Sequence, residues 1–188
     1  DSHIVFTSGM ASTLAGDWKQ ISLNNAHNSI FRYCDFSWAE NGISLNNSDS
    51  TEISYCTFEN FISGVYAIYK DGGGSEKLKI THNTISGGFN RAVSFHDAYN
   101  SEFSYNEIEA AEWAMYCYNC DGSEFTHNEI YPPVDNYMYG GIHSEYSESS
   151  TFSYNNILGF RDYGIYFRGS GGSTVIHNTI ADTNKQGN

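Results

Sequence analysis

ISLNNAHNSIFRYCDF at residues 21–36 and ISLNNSDSTEISYCTF at residues 43–58 are one pattern written twice, offset by 22 positions. Aligning the rest of the chain on their second halves yields seven copies of a short unit: FRYCDF, ISYCTF, ITHNTI, FSYNEI, FTHNEI, FSYNNI and VIHNTI. The fourth positions are Cys34, Cys56, Asn83, Asn106, Asn128, Asn155 and Asn178, spaced by 22, 27, 23, 22, 27 and 23. Each column around them keeps one kind of chemistry. Three residues earlier stands Phe31, Ile53, Ile80, Phe103, Phe125, Phe152 or Val175, and two residues later Phe36, Phe58, Ile85, Ile108, Ile130, Ile157 or Ile180. A second apolar pair follows: Ile43/Leu45, Val65/Ala67, Val93/Phe95, Met115/Cys117, Ile142/Ser144 and Ile165/Phe167. Apolar residues alternating with polar ones are the period of a strand with one buried face.

A unit of this length cannot bury an apolar face alone, so successive units must stack. The spaced Leu framework of leucine-rich repeats is missing, and three short strands with three turns fit the count. Parallel coils rise about 4.8 Å each, so seven to eight make a rod roughly 35 Å long. The marker Asn is expected at a corner, in the left-handed backbone region, with its amide bonded to neighbouring coils. Two insertions break the spacing: the loop Asp71–Glu76 after a second strand and Tyr131–Tyr139 before another. Cys34 and Cys56 share a column and are expected as free thiols; Cys117 and Cys120 read as a core and a turn cysteine that a bridge could join.

Units such as ISYCTF, ITHNTI and FSYNEI resemble the parallel β-helix repeat of the pectate-lyase-like superfamily, from about Ile21 to Ile180. The opening segment HIVFTS…GDWKQI resembles the first coil of secreted β-helix proteins. The resemblance implies an all-β fold: a right-handed single-stranded parallel β-helix, one solenoid domain over residues 1–188. It implies an extracellular or cell-surface protein, of which this chain is expected to be a segment. It transfers no activity, because the superfamily holds lyases, glycosidases, epimerases, adhesins and passive domains.

Lys and Arg number 9 against 22 Asp and Glu, a formal net charge of −13. Phosphate recognition needs clustered cations, so nucleic acid is excluded as the expected partner. No stretch has the apolar length of a membrane span, so no membrane insertion is expected. The aromatic content of 16% argues against disorder.

If the second-strand apolar residues point inward, their alternates form outward columns: Ser44, Tyr66, Ser94, Tyr116, His143, Tyr166, and beside it Asn46, Ile68, His96, Tyr118, Glu145, Arg168. Trp113, Tyr137, Tyr139, Arg161, Asp162 and Tyr163 flank them, with Arg91 on the same side. The last four coils thus concentrate aromatic rings, imidazoles and charges on one face. Sugar rings stack on aromatic faces, and their hydroxyls bond Glu, Arg, His and Tyr. Tyr66, His96, Trp113, Tyr116, Tyr118, Glu145 and Arg161 are the expected glycan contacts.

Lyase chemistry on that face would take Arg168 or Arg161 as the cation, His143 or Tyr166 as the base, and Tyr116 or Tyr166 as the acid. Hydrolysis needs two carboxylates about 5–9.5 Å apart, and Glu145 has no matching partner, so a lyase is favoured over a hydrolase. The polygalacturonase signatures are absent. No metal set or cofactor motif is read, and Ca²⁺ enters only as a bridge to a polyanionic substrate. Two functions stand side by side: an extracellular protein that binds or cleaves a polysaccharide on this face, and a structural segment of a surface or filament protein that associates end to end. The Tyr/His column (Tyr33, Tyr55, His82, Tyr105, His127, Tyr154, His177) is assigned to stacking.

Overall fold

A computed structural model describes residues 3–62, 66–70, 73–87, 90–110, 112–134 and 137–181. Strands pair in parallel in three long sheets of eight, seven and seven strands, with a small two-stranded pairing of Ser75–Glu76 and Ala98–Tyr99. Among the described residues there is no helix. One coil shows the plan: Glu107–Glu109 lies in the first sheet, Trp113–Tyr118 in the second and Glu124–Thr126 in the third. Glu129–Tyr131, Met138–Glu145 and Thr151–Ser153 repeat it one level on. The chain is a parallel β-helix with three strands per coil, as its periodicity predicts.

Residues one repeat apart lie directly over each other. Phe103 pairs with Phe125 and Phe125 with Phe152, and the rings stack at 4.8 and 4.7 Å with planes 12° and 3° apart. Phe36 and Phe58 do the same at 4.7 Å. These columns, with Ile80, Ile108, Ile130 and Ile157, are fully buried and make one continuous core. Each such side chain contributes about 1.5–3 kcal/mol of burial and each stacked pair about 0.5–1.5 more. The inward/outward alternation of the second sheet also holds: Ile142 and Ser144 are buried, while His143 points outward.

One coil departs from the predicted register. Ile43 pairs with Ile68 and Ser44 with Tyr69, and Val93 and Ser94 pair with the same two residues. Ile68 therefore fills the inward column predicted for Val65, which lies outside the described residues, and Tyr69 takes the outward place predicted for Tyr66. The cause is the position of the insertion. Phe58 to Ile68 spans ten positions where Phe36 to Ile43 spans seven, so part of the extra length precedes the strand instead of sitting wholly in Asp71–Glu76. Lys70 occupies the core column between Leu45 and Phe95, and its buried ammonium donates to the His96 carbonyl.

The corner between the third and first sheets also differs in detail. The left-handed residue is the one before each marker: Tyr33, Tyr55, His82, Tyr105, His127, Tyr154 and His177 have φ of 54–57°. That turn throws the ring outward and aims the next side chain into the core. Asn83, Asn106, Asn128 and Asn155 are about 1% exposed. The Asn106 amide donates to the Ile80 carbonyl (2.9 Å) and to Asn128 Oδ1 (3.0 Å), while its Oδ1 accepts the Asn83 backbone N–H (3.1 Å) and side-chain amide (3.0 Å). An uninterrupted amide ladder results. The outward rings stack in turn, from Tyr33–Tyr55 at 5.2 Å to Tyr154–His177 at 4.9 Å.

The corner between the second and third sheets carries a second buried ladder. Ser101 donates its N–H to Ser123 Oγ (3.1 Å), and Ser123 to Ser150 Oγ (3.3 Å). All four cysteines are buried free thiols, so Cys117 and Cys120 are not bridged.

Candidate functional site

The second sheet broadens over its last strands: Arg91–His96 and Trp113–Tyr118 have six residues, Met138–Glu145 eight and Phe160–Arg168 nine. The residues predicted to flank the face thereby become part of it. Trp113 pairs with Gly140 and Gly140 with Tyr163, so the glycine separates two aromatic residues. A Cβ on Gly140 would overlap the six-membered ring of Trp113, which lies across it. Trp113 and Tyr163, two coils apart, consequently face each other at 6.3 Å with planes only 8° apart. An irregular register between Met138 and Gly140 against Phe160–Arg168 places one extra residue in the later strand and re-aims Tyr163.

These rings wall a cleft of about 300 Å³, lined by Trp113, Tyr139, His143, Glu145, Tyr163, Tyr166 and Arg168. His143 sits among Trp113, Tyr116 and Tyr166, with ring centroids 4.7–4.8 Å away. Both of its nitrogens are buried without a hydrogen-bond partner, so what the imidazole shows to the cleft is carbon. Burial lowers its pKa, aided by the Arg91 and Arg168 charges and opposed by Glu145, whose carboxylate is 3.7 Å from Nε2. The neutral ring is the favoured form.

Glu145 is the polar hub. Tyr116 Oη donates to it at 2.9 Å and Arg168 Nη1 at 2.8 Å. Burial alone would raise its pKa, but these two hydrogen bonds and the neighbouring cation outweigh that and the net shift is downward. The same contacts act in reverse on Tyr116, whose phenol is pushed up to about 12 by burial and then by Glu145. Arg91 lies over the Tyr116 ring at 3.8 Å and Arg161 over Tyr139 at 5.0 Å, the latter also paired with Asp162 at 3.0 Å.

The structure thus gathers Trp113, Tyr116, His143, Glu145, Tyr166 and Arg168, with Arg161 at the rim. His96 and Tyr118 stand beside this group, stacked on each other at 5.4 Å, with Tyr118 edge-on to Tyr146. Tyr66 is not among them; it packs on Tyr69 at 5.2 Å, away from the cleft. Tyr139 and Tyr163 line the wall directly, a role that the sequence could signal only by placing them on the flank. For acid–base chemistry the geometry is specific. A base at His143 needs the ring to turn, and Arg168 and Arg161 already neutralise carboxylates. Among the described residues no group of three or more His, Cys, Asp or Glu is arranged to hold a metal ion.

Residues 66–187 match the family described as right-handed β-helix region, a span that includes every wall of the cleft. No curated protein and no solved structure matches the chain. The parallel three-sheet coil and this match over more than half of the chain agree: it belongs to the right-handed β-helix family.

Proposed function

We propose that the protein is an extracellular glycan-binding β-helix whose cleft on the second sheet takes a non-anionic saccharide. The observation that carries this reading is the orientation of the rings. In the outer Tyr/His column neighbouring planes lie 13–22° apart at 4.6–5.2 Å, so each face is covered and only edges meet solvent. In the cleft, Trp113 and Tyr163 lie near parallel at 6.3 Å, but Trp113–Tyr139, Tyr139–Tyr163 and Tyr163–Tyr166 meet at 59–64°, so these rings do not close into one covered stack. Pyranose C–H groups stack on faces, not edges. Glu145 and Arg168 supply the hydroxyl-bonding groups beside them. A net charge of −13 disfavours a polyanionic chain. Binding is favoured over turnover because the carboxylate, both arginines and the histidine are engaged or covered.

Titration against a panel of neutral, amino and acidic oligosaccharides tests the proposal. Tyr163→Ala and Tyr166→Ala are each expected to weaken binding by about tenfold, the order of one lost ring contact. Tyr105→Ala, in the edge-on column, leaves it unchanged. A panel without a single ligand sinks the reading. A structural segment associating end to end is the second reading, supported by core-column residues left exposed on the terminal coils, Ile4 at one end and Val175 and Ile180 at the other. Its check is molecular mass measured across a wide concentration range.

A further inference from the structure

We infer, resting on the glycan reading, that the cleft selects a saccharide bearing a free ammonium group, an amino sugar, over its neutral or acidic counterparts. Four aromatic residues, Trp113, Tyr139, Tyr163 and Tyr166, converge on one small volume with the Glu145 carboxylate at its edge. Ring faces carry negative quadrupole potential and attract cations, more strongly as water is excluded.

This face already uses the interaction. Arg91 lies over Tyr116, Arg161 over Tyr139 and Arg168 over Tyr146, at 3.8, 5.0 and 5.9 Å. Arg161 has a side chain 61% exposed, so a ligand cation can displace it from Tyr139 at little cost. Glu145 retains acceptor capacity: a carboxylate offers about four lone-pair positions, and Tyr116 and Arg168 take two. Around the cleft Glu145 and Asp162 balance Arg168 and Arg161 while Arg91 over Tyr116 adds a cation, so the attraction for an ammonium rests on the ring faces, the remaining Glu145 lone pairs and the field of the whole chain, −13. An ammonium ligand gains from rings, carboxylate and field together; an N-acetylated one keeps only the stacking.

The experiment is calorimetric titration with a glucosamine disaccharide, its N-acetylated form and a uronate disaccharide, at about 50 mM and about 500 mM NaCl. The amino form is expected to bind about tenfold tighter than the N-acetylated form at low salt, with the margin shrinking at high salt and the uronate weakest. Tyr163→Leu keeps apolar bulk but removes the π face; it should pull the amino/N-acetyl ratio toward one, and Tyr163→Phe should restore it. Tyr139→Leu gives the same readout should the first variant fold poorly. Equal affinity for amino and N-acetylated sugars overturns the inference while leaving the glycan reading in place. Absence of binding by all three overturns the inference, and silence of the wider oligosaccharide panel removes the glycan reading as well. Spermidine binding as tightly as the amino disaccharide overturns the assignment to a sugar.

Discussion

Replacing Asn106 by alanine removes an inner rung of the buried amide ladder. Four hydrogen bonds involve that side chain, at 2.9–3.1 Å. Truncation leaves the Asn83 backbone N–H without the Asn106 oxygen and takes one donor from the Ile80 carbonyl, in a column about 1% exposed where water has no ready access. An orphaned buried N–H costs about 1–3 kcal/mol, and the lost amide volume adds a cavity term of about 1, so about 2–4 kcal/mol is expected. That is a large share of a typical domain stability of about 5–15 kcal/mol. The protein supplies its own control. Cys56 occupies this column, where its thiol donates to the Phe31 carbonyl of the preceding coil at 3.6 Å and to the Ser54 carbonyl at 3.3 Å. Asn106→Cys should therefore lose about half as much as Asn106→Ala, since a thiol restores a weak version of the donor role. Urea unfolding followed by circular dichroism gives the difference from the midpoints at constant m-value. The reasoning is refuted if Asn106→Ala falls within about 0.5 kcal/mol of the parent protein, or if cysteine is no better than alanine.

Gly140→Ala drives a methyl into the Trp113 ring; the indole should leave the cleft, seen as a red shift in tryptophan emission and loss of saccharide affinity without loss of fold. His143 is held neutral by burial, so its folded pKa lies below its unfolded one and the unfolded chain binds more protons between the two. Stability should therefore fall as pH drops from about 7 through the unfolded histidine value, and His143→Phe should flatten that slope in denaturation midpoints. Glu52 has the opposite window. Its pKa is depressed to about 2, chiefly by the bidentate Arg32 contact at 2.7 Å, so its contribution is present above the unfolded carboxylate value and lost as pH falls toward about 2. Arg32 is half exposed, so solvent screens the pair and keeps its contribution small, and Glu52→Gln should remove that acid-range component alone.

What the sequence made legible was whatever the coil repeat enforces. Phe103 over Phe125 follows from a spacing of 22 because parallel coils admit one register that keeps both rings inside. The same spacing also ran through Ser48, Ser75, Ala98, Cys120, Ser147 and Ser170, a corner column whose hydroxyls serve as ladder acceptors, yet small polar residues hide in a search tuned to apolar ones. Where the spacing failed, register failed with it. Lys70 interrupts the apolar column that would have anchored the strand, so Tyr66 was given the place that belongs to Tyr69. The cleft was half legible for a related reason. Columns predict which residues share a face, and Tyr116, His143, Tyr166, Glu145 and Arg168 do share one. They do not predict that a glycine between two aromatics lets rings two coils apart swing together, nor that one extra residue before Tyr163 re-aims it. Those are events perpendicular to the repeat, set by the one position where a side chain is missing. The site therefore depends on Gly140 as much as on any ring, because only an absent Cβ lets Trp113 lie flat across the sheet and open a volume that regular columns would have filled.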